Sequence, residues 1–304
     1  MKQNTTHNKK RVLITGADSY IGVSFERWAA AHYADALEVD TVDMIDGSWR
    51  QKDFSGYDCV FHVAGLAHAD VGHVSEERQR FYYQINRDLA VETAEKARNE
   101  GVGQFVFMSS AIVYGDSAPY GRRKIITVGT QPVPANFYGD SKWQGDQGVR
   151  ALESDAFRVA VLRPPMIYGR GSKGNYPTLA GMAKKLPFFP DVDNERSMLF
   201  IDNLTEFLCQ LMLRGSGGIY FPQNAEYTRT TDMVKEIAAV SGHRIRITKA
   251  FNWAVALASR MPGKIGGLTN KAFGSMTYEQ AISIAPFPYR VADLKKSIER
   301  TEKD

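Results

Sequence analysis

Two short segments carry side chains whose types and spacing suit proton transfer. The first is Phe107-Met-Ser109-Ser110-Ala-Ile-Val-Tyr114-Gly, and the second is Tyr138-Gly-Asp-Ser-Lys142. Tyrosine and lysine four residues apart in a helical pattern share one face. A tyrosine hydroxyl with its ordinary pKa of about 10 is a slow proton relay at neutral pH. An ammonium group nearby favours the phenolate and is expected to bring that value down. The lysine can also bond a nucleotide ribose. Ser109 and Ser110 follow an apolar run that reads as a buried strand. Open α/β sheets hold ligands at such strand ends. A serine hydroxyl there completes a cradle for a substrate oxygen.

A third segment, Thr15-Gly16-Ala-Asp18-Ser19-Tyr20-Ile21-Gly22, joins the apolar run Arg11–Thr15 to a helical pattern over Tyr20–His32. Glycines at such a junction let the backbone turn sharply and approach a pyrophosphate. The helix N-terminus then supplies free N–H groups and partial positive charge. Ser19 stands where a middle glycine would complete G-x-x-G-x-x-G. It is small, and its hydroxyl can bond a phosphate oxygen. An acid near the end of the second strand should hold the adenosine ribose. Asp40 and Asp43 both qualify, and spacing does not separate them. Asp43-Met44-Ile45-Asp46 also has the form of a turn that reaches an adenine. No Lys or Arg lies between Asp40 and Trp49 to take a 2′-phosphate. The expectation is therefore NAD, with NADP as the alternative.

The elements that must position these groups alternate. Strands are expected at Arg11–Thr15, Ala36–Asp40, Asp58–Ala64, Gln104–Ser109 and Phe157–Arg163, with helices at Tyr20–His32, Ile85–Asn99 and Tyr138–Glu153. The strands are nearly all apolar and several end at glycine, as Val63-Ala64-Gly65 does. That is how a parallel sheet covered on both faces is written. The fold class expected is α/β, a Rossmann-type doubly wound parallel sheet with a smaller C-terminal substrate-binding region. Residues 1–10 read as a polar tail. Residues 11–165 form the dinucleotide-binding domain, to which 197–221, with a helix over Phe200–Leu213, return. Residues 166–196 and 222–304 form the substrate-binding region. The apolar stretch Trp253–Met261, flanked by Arg260 and Lys264, suits a core or dimer contact better than a membrane surface.

With 304 residues, a net charge of +4 and basic residues mixed among acids, the chain offers no strong case for nucleic acid. No stretch approaches the roughly 20 apolar residues a membrane span needs. Cys59 and Cys209 lie in apolar surroundings and read as free buried thiols. His68, Asp70 and His73 are possible metal ligands, but they have no second cluster, so no metal is expected. The compartment expected is the cytoplasm.

Taken together and in this order, the motifs resemble the extended short-chain dehydrogenase/reductases, a family of sugar-nucleotide epimerases, dehydratases and reductases. The likeness runs from about Arg11 to about Phe207 and includes Val63-Ala64-Gly65, Asn86 and Val159-Ala-Val-Leu-Arg-Pro164-Pro-Met-Ile-Tyr-Gly169. It implies Ser110 as the catalytic serine, Tyr138 as the acid/base and Lys142 as its partner. Ser109 and Pro164 would border the nicotinamide, and Ala64, Gly65 and Asn86 would line the cofactor.

The same resemblance extends to the substrate side. Gly174-Asn175-Tyr176 is similar to a loop whose asparagine meets a uridine diphosphate. Arg196 matches an arginine that grips the diphosphate, although a surface pairing with Glu195 or Asp193 would explain it too. The wording of these segments is similar to bacterial 4-keto-sugar reductases that make UDP-N-acetylquinovosamine or UDP-N-acetylfucosamine for capsule or O-antigen. The implied partner is a UDP-linked amino sugar, and the implied assembly is a homodimer through the two long helices. A 4-epimerase uses the same residues. A cofactor-binding sensor would have no need of the intact Ser110, Tyr138 and Lys142.

Overall fold

The structure is a computed structural model that describes residues 9–67 and 74–303. The strands are β1 (Lys10–Thr15), β2 (Leu37–Val42), β3 (Cys59–His62), β4 (Gln104–Met108), β5 (Ile125–Ile126), β6 (Arg158–Leu162), β7 (Met166–Tyr168), β8 (Phe188–Pro190), β9 (Met198–Phe200), β10 (Gly218–Tyr220), β11 (Arg246–Thr248) and β12 (Thr277–Tyr278). The α-helices are α1 (Tyr20–His32), α2 (Glu76–Tyr83), α3 (Leu89–Asn99), α4 (Phe137–Arg150), α5 (Asn175–Lys185), α6 (Ile201–Arg214), α7 (Thr230–Val240), α8 (Asn252–Arg260), α9 (Gly263–Phe273) and α10 (Leu294–Lys303).

Two compact units emerge. The first comprises the described residues up to Val113, Pro134–Arg163 and Thr205–Tyr220. The second comprises Tyr114–Val133, Pro164–Leu204 and the described residues from Phe221 onward. Residues 114–133 thus cluster with the second unit.

The first unit is built on a six-stranded sheet in the order β10-β6-β4-β3-β1-β2. Every pairing is parallel. Register brings Leu13, Val60, Phe105 and Val159 into one row across the sheet, and all four are fully buried. Removing such side chains from water is the main stabilising term of the sheet. After β1 the chain goes outward to β2 and then returns past β1 to β3. The reversal opens a crevice at the C-terminal ends of β1 and β3, where doubly wound sheets bind ligands. Gly16 and Ala64 follow those two ends.

The expected strands all form, with ends shifted by up to two residues. The helix expected over Ile85–Asn99 is the larger departure. Helix α2 already begins at Glu76, capped by Ser75, and a π-helical turn, Gln84–Asp88, joins it to α3.

The second unit has three two-stranded parallel pairs, β8 with β11, β5 with β12 and β7 with β9. Helix α7 buries Met233, Val234, Ile237 and Ala238. The Tyr168 ring stacks on Tyr176 at 5.6 Å, and its hydroxyl shares a hydrogen bond with Ser297. None of the helices is long and apolar enough to cross a membrane, among the described residues. Of the two roles expected for the apolar α8, core or dimer contact, core does not hold: none of its residues is buried. Cys59 and Cys209 are free and buried.

Candidate active site

The glycine loop shows why its residue types are needed. Gly16 has φ of +119°, and a Cβ there would lie 2.8 Å from the Ala64 nitrogen. Its N–H donates to the Val42 carbonyl at 3.0 Å, while Ala64 N–H donates to the Thr15 carbonyl at 2.9 Å. The turn is therefore sewn to both neighbouring strand ends. Asp18 follows with φ of 59°, the left-handed region that Asp tolerates better than most residues. Ser19 caps α1, its Oγ accepting from Gly22 N–H at 3.1 Å. The hydroxyl expected at a phosphate thus serves first as a helix cap. Gly22 lets α1 sit close on β1, since a Cβ there would come within 3.3 Å of Ile14 Cγ2. Tyr20 and Ile21 form the first turn and are half-buried. The helix N-terminus beside this loop has the free N–H groups that suit an anion.

The structure distinguishes the two acids that sequence left open. Asp40 lies within β2, accepts a hydrogen bond from Tyr57 Oη at 2.7 Å and pairs with Arg11 at 3.4 Å. Asp43 comes directly after β2, next to the Val42 carbonyl that Gly16 binds. It is exposed and accepts only a local turn bond from Ile45 N–H. Met44, expected at the cofactor, belongs to the buried core cluster that also holds Trp49 and Val60. Arg50, the first cation after these acids, is bonded to Glu92.

Ser109 and Ser110 lie just past the end of β4. Ser109 N–H donates to the Leu162 carbonyl at 2.8 Å, but its hydroxyl is buried without a partner among the described residues. Ser110 Oγ accepts from Ile112 N–H at 3.3 Å, and the Ser110 side chain favours the phenolate of Tyr138. Tyr138 comes from α4, capped by Asn136, whose Oδ1 accepts from Gly139 N–H at 3.0 Å. Burial pushes the Tyr138 hydroxyl up to about 12, Tyr82 adds to the rise, and only Ser110 opposes it. The lowering expected from Lys142 is absent: Lys142 is not among the groups that act on the Tyr138 hydroxyl. Lys142 is itself brought down to about 8 by burial. Its Nζ donates to the Met108 carbonyl at 3.2 Å.

Around Lys142 the packing is specific. A Cβ on Gly65 would lie 2.7 Å from Lys142 Nζ and 3.1 Å from Asn86 Oδ1. Asn86 is fully buried. It accepts from Leu66 N–H at 2.9 Å and donates to the Leu66 carbonyl and to Ser141 Oγ. It sits in the π turn, a feature frequent at functional sites. Sequence reading missed His62, at the end of β3. Its Nδ1 shares a 2.8 Å hydrogen bond with Thr15 Oγ1, and its Nε2 is buried without a partner among the described residues. Burial, helped by the Lys142 charge, takes its pKa down to about 3, so the ring is neutral. A polar residue inside Cys59-Val-Phe-His62-Val was the available signal.

The structure therefore brings together Ser110 and Tyr138, and, around Lys142, Gly65 and Asn86. The glycine loop, Ala64 and Asp43 follow the ends of adjacent strands. The orphaned Ser109 hydroxyl and the space that only a glycine leaves at residues 16 and 65 fit a bound dinucleotide.

The remaining expected residues belong to the second unit. Pro164 is buried two residues after β6. Asn175 opens α5 behind Gly174, whose φ is 103°. Arg196 donates to the Lys271 and Ala272 carbonyls, and burial lowers its pKa. Neither acid that would have explained it as a surface pair is its partner, for Arg123 takes both Glu195 and Asp193. Those partners lie some 70 residues away in sequence and were not legible from it. The possible ligands His68, Asp70 and His73 lie outside the described residues, and no metal-ligating cluster occurs among the rest.

Parallel sheet, glycine loop and the order of Ser110, Tyr138 and Lys142 along the chain define a Rossmann-type fold of the extended short-chain dehydrogenase/reductase class. The model of the NAD dependent epimerase/dehydratase family matches residues 12–220, and the chain belongs to that NAD(P)-dependent family. It is 25% identical over 249 residues to a UDP-glucose 4-epimerase of Vibrio cholerae, covering 75% of each chain. It is also 25% identical over 222 residues to N-acetyl-α-D-glucosaminyl-diphospho-ditrans,octacis-undecaprenol 4-epimerase of Escherichia coli O157:H7, covering 65% of this chain and 61% of that one. The fold is shared with dTDP-4-dehydrorhamnose reductase of Bacillus anthracis in complex with NADP, at TM-score 0.70 and 17% identity over 96% of this chain and 98% of that one. UDP-glucuronic acid 4-epimerase of Bacillus cereus in complex with NAD is similar at TM-score 0.69 and 14% identity, over 96% and 95%. The protein is thus a member of a sugar-nucleotide epimerase and reductase family.

Proposed function

We propose that the protein reduces the C4 ketone of a UDP-2-acetamido-2,6-dideoxy-hexos-4-ulose, giving UDP-N-acetylquinovosamine or UDP-N-acetylfucosamine, sugars suited to capsule or O-antigen. The observation that carries this reading is a half-buried Tyr138 whose hydroxyl is kept protonated, with a pKa of about 12, four residues before the buried Lys142 on α4. A tyrosine in that state is a proton donor.

The reduced nicotinamide, when bound, supplies the hydride for C4. Tyr138 Oη gives its proton to the C4 oxygen as the carbonyl becomes an alkoxide, and Ser110 Oγ donates a hydrogen bond to that oxygen. Lys142, four residues along the same helix face, stabilises the phenolate left on Tyr138. Asp43 holds the adenosine ribose, and the lack of Lys or Arg between Asp40 and Trp49 to take a 2′-phosphate favours NAD. Gly16, Asp18, Ser19, Tyr20, Ile21 and Gly22 hold the pyrophosphate. Arg196, a guanidinium lowered by burial and bonded to carbonyls only, suits a substrate diphosphate, with Asn175 beside the uridine. We further propose a cytoplasmic homodimer through α3 and α4, whose mass in solution light scattering would show.

Two curated relatives are 4-epimerases, which favours as second reading a UDP-hexose or UDP-N-acetylhexosamine 4-epimerase built on the same C4 chemistry. One assay separates them. Purified protein is mixed with NADH or NADPH and freshly generated UDP-4-keto-6-deoxy-N-acetylhexosamine, and nicotinamide absorbance is followed. Stoichiometric loss of reduced cofactor, slowed roughly 10²- to 10⁴-fold in Tyr138→Phe, establishes the reductase. Interconversion of UDP-N-acetylglucosamine and its C4 epimer without net loss of cofactor would replace that reading with the epimerase. A protein that binds cofactor but does neither would be a sensor.

A further inference from the structure

Residues 237–278 of the sequence contain six of the 38 Lys and Arg, namely Arg244, Arg246, Lys249, Arg260, Lys264 and Lys271, and none of the 34 Asp and Glu. This single segment thus carries more positive charge than the chain's whole +4, and the remainder is slightly acidic. Arg244, Arg246, Lys249, Arg260 and Lys271 are exposed. None of these five pairs with a carboxylate among the described residues.

The same segment forms the hairpin of α8 and α9. Gly263, with φ of 72°, turns the chain between them. A Cβ on Gly266 would lie 1.9 Å from the Met261 carbonyl, so the second helix begins pressed against that turn. Asn270 Nδ2 ties the two together by donating to the Ser259 carbonyl at 3.0 Å. On this braced hairpin large apolar side chains stand in solvent: Trp253 is 70% exposed, Leu257 59%, Ile265 52% and Leu268 66%. Trp253 and Leu257 are four apart and Ile265 and Leu268 three apart, so each helix offers a stripe. Phe251, also exposed, extends the patch beside Arg246 and Lys249.

We propose that the α8–α9 hairpin seats the protein on the surface of an anionic lipid bilayer. The apolar stripes enter the headgroup and acyl boundary, and the surrounding Arg and Lys meet lipid phosphates. Exposed Trp and Leu flanked by basic side chains is the composition of an interfacial helix. At 9 and 11 residues, α8 and α9 are too short to cross a bilayer and can only lie on it. The charge selects the occupant. A second copy docking here would bring two all-basic segments together, which like-charge repulsion opposes, whereas an anionic leaflet attracts them. The inference does not depend on the reaction catalysed.

The test is flotation of the full chain with phosphatidylcholine vesicles, with and without about 30% phosphatidylglycerol. Binding to the anionic vesicles only, with a blue shift of tryptophan emission, is expected. It should weaken at least about tenfold in the pair Trp253→Ser, Leu257→Ser, and also in the pair Arg244→Glu, Arg246→Glu, or on raising salt past one Debye length of screening. Cofactor affinity and Tm should be retained in at least one pair. No binding of wild type to anionic vesicles, or binding that survives in a folded variant of each pair, would overturn the proposal. So would a light-scattering mass that halves in the Trp253, Leu257 pair, which would assign the patch to a second copy.

Discussion

Tyr138, Lys142, Asp146 and Arg150 follow one another at four-residue intervals along α4, yet the two halves of this stripe are built on opposite principles. In the far half, Asp146 is fully buried and binds the buried Arg163 through both carboxylate oxygens, at 2.8 and 2.9 Å, with Arg150 on the same group. In the near half, Lys142 is 6% exposed and has a backbone carbonyl and the face of Phe107, but no carboxylate. Burying a charge is costly unless it is paired. The far half meets that condition and anchors the helix to β6. The near half does not, and its lysine is left ready to lose its proton. Such uncompensated burial makes Lys142, and not Asp146, the candidate working group of the stripe.

The sharpest way to break this contrast is to remove one member from each half. Asp146→Ala should cost about 3–5 kcal/mol in urea unfolding, because Arg163 is left buried and unpaired. Lys142→Met should do the reverse, raising stability by roughly 1–3 kcal/mol at pH 7 while turnover is lost. The sign follows from the shift. Below about 8 the lysine is charged in both states and the full penalty of burial is present. Between about 8 and its ordinary 10.5, the unfolded chain holds a proton that the folded one has released. Wild-type stability therefore rises with pH across that window, and the rise should be missing in Lys142→Met.

Activity sharpens the same contrast with a smaller effect. If Lys142 must carry its charge, kcat/KM for reduction should fall about tenfold per pH unit above about 8. Tyr138, held near 12, stays protonated throughout. In Lys142→Arg, whose guanidinium keeps its proton, the alkaline limb should disappear even though the rate is lower. A limb that stays near pH 8 would assign the titration to another group. The smallest effect concerns the two acids after β1. Asp43→Ala should raise the Kd for NAD about tenfold, as the loss of a charged hydrogen-bond acceptor would. Asp40→Ala should leave that Kd unchanged within about twofold while lowering Tm, since it releases Tyr57 and Arg11. Isothermal titration and thermal melts read both.

The inner sheet was legible because β1, β3, β4 and β6 are largely buried and so appear as apolar runs. Helix α1 was legible from the apolar stripe of Ile21, Phe25 and Trp28. Helix α2 was not, because Glu76-Glu-Arg-Gln-Arg is so polar that it shows no apolar period, although it is anchored by Tyr82. Ser110, Tyr138 and Lys142 could be singled out by type, spacing and order. What determines their proton affinity could not, since burial acts through neighbours distant in sequence, such as Tyr82 and Met108. The different surroundings of Asp40, inside β2, and Asp43, just past it, could not be read before β2 proved to run on to Val42. The stripe of α8 was visible as a pattern, but a pattern does not say what covers it.

The π turn at Gln84–Asp88 acts as a phase shifter. A residue advances an α-helix by about 100°, so one residue of surplus lets the stretch before and after the turn keep different appointments. Asn86 faces Leu66 and Ser141, while Ala90, Ala94 and Ala97 face the sheet. The widened turn also pushes the Asn86 carbonyl toward α4, where a Cβ on Gly145 would lie 2.2 Å from it. Deleting one residue from the turn would regularise the helix, yet one of the two faces would then be misaligned. The strand-to-helix register of this unit is therefore set by a single surplus residue, and helical propensity and correct assembly pull in opposite directions there.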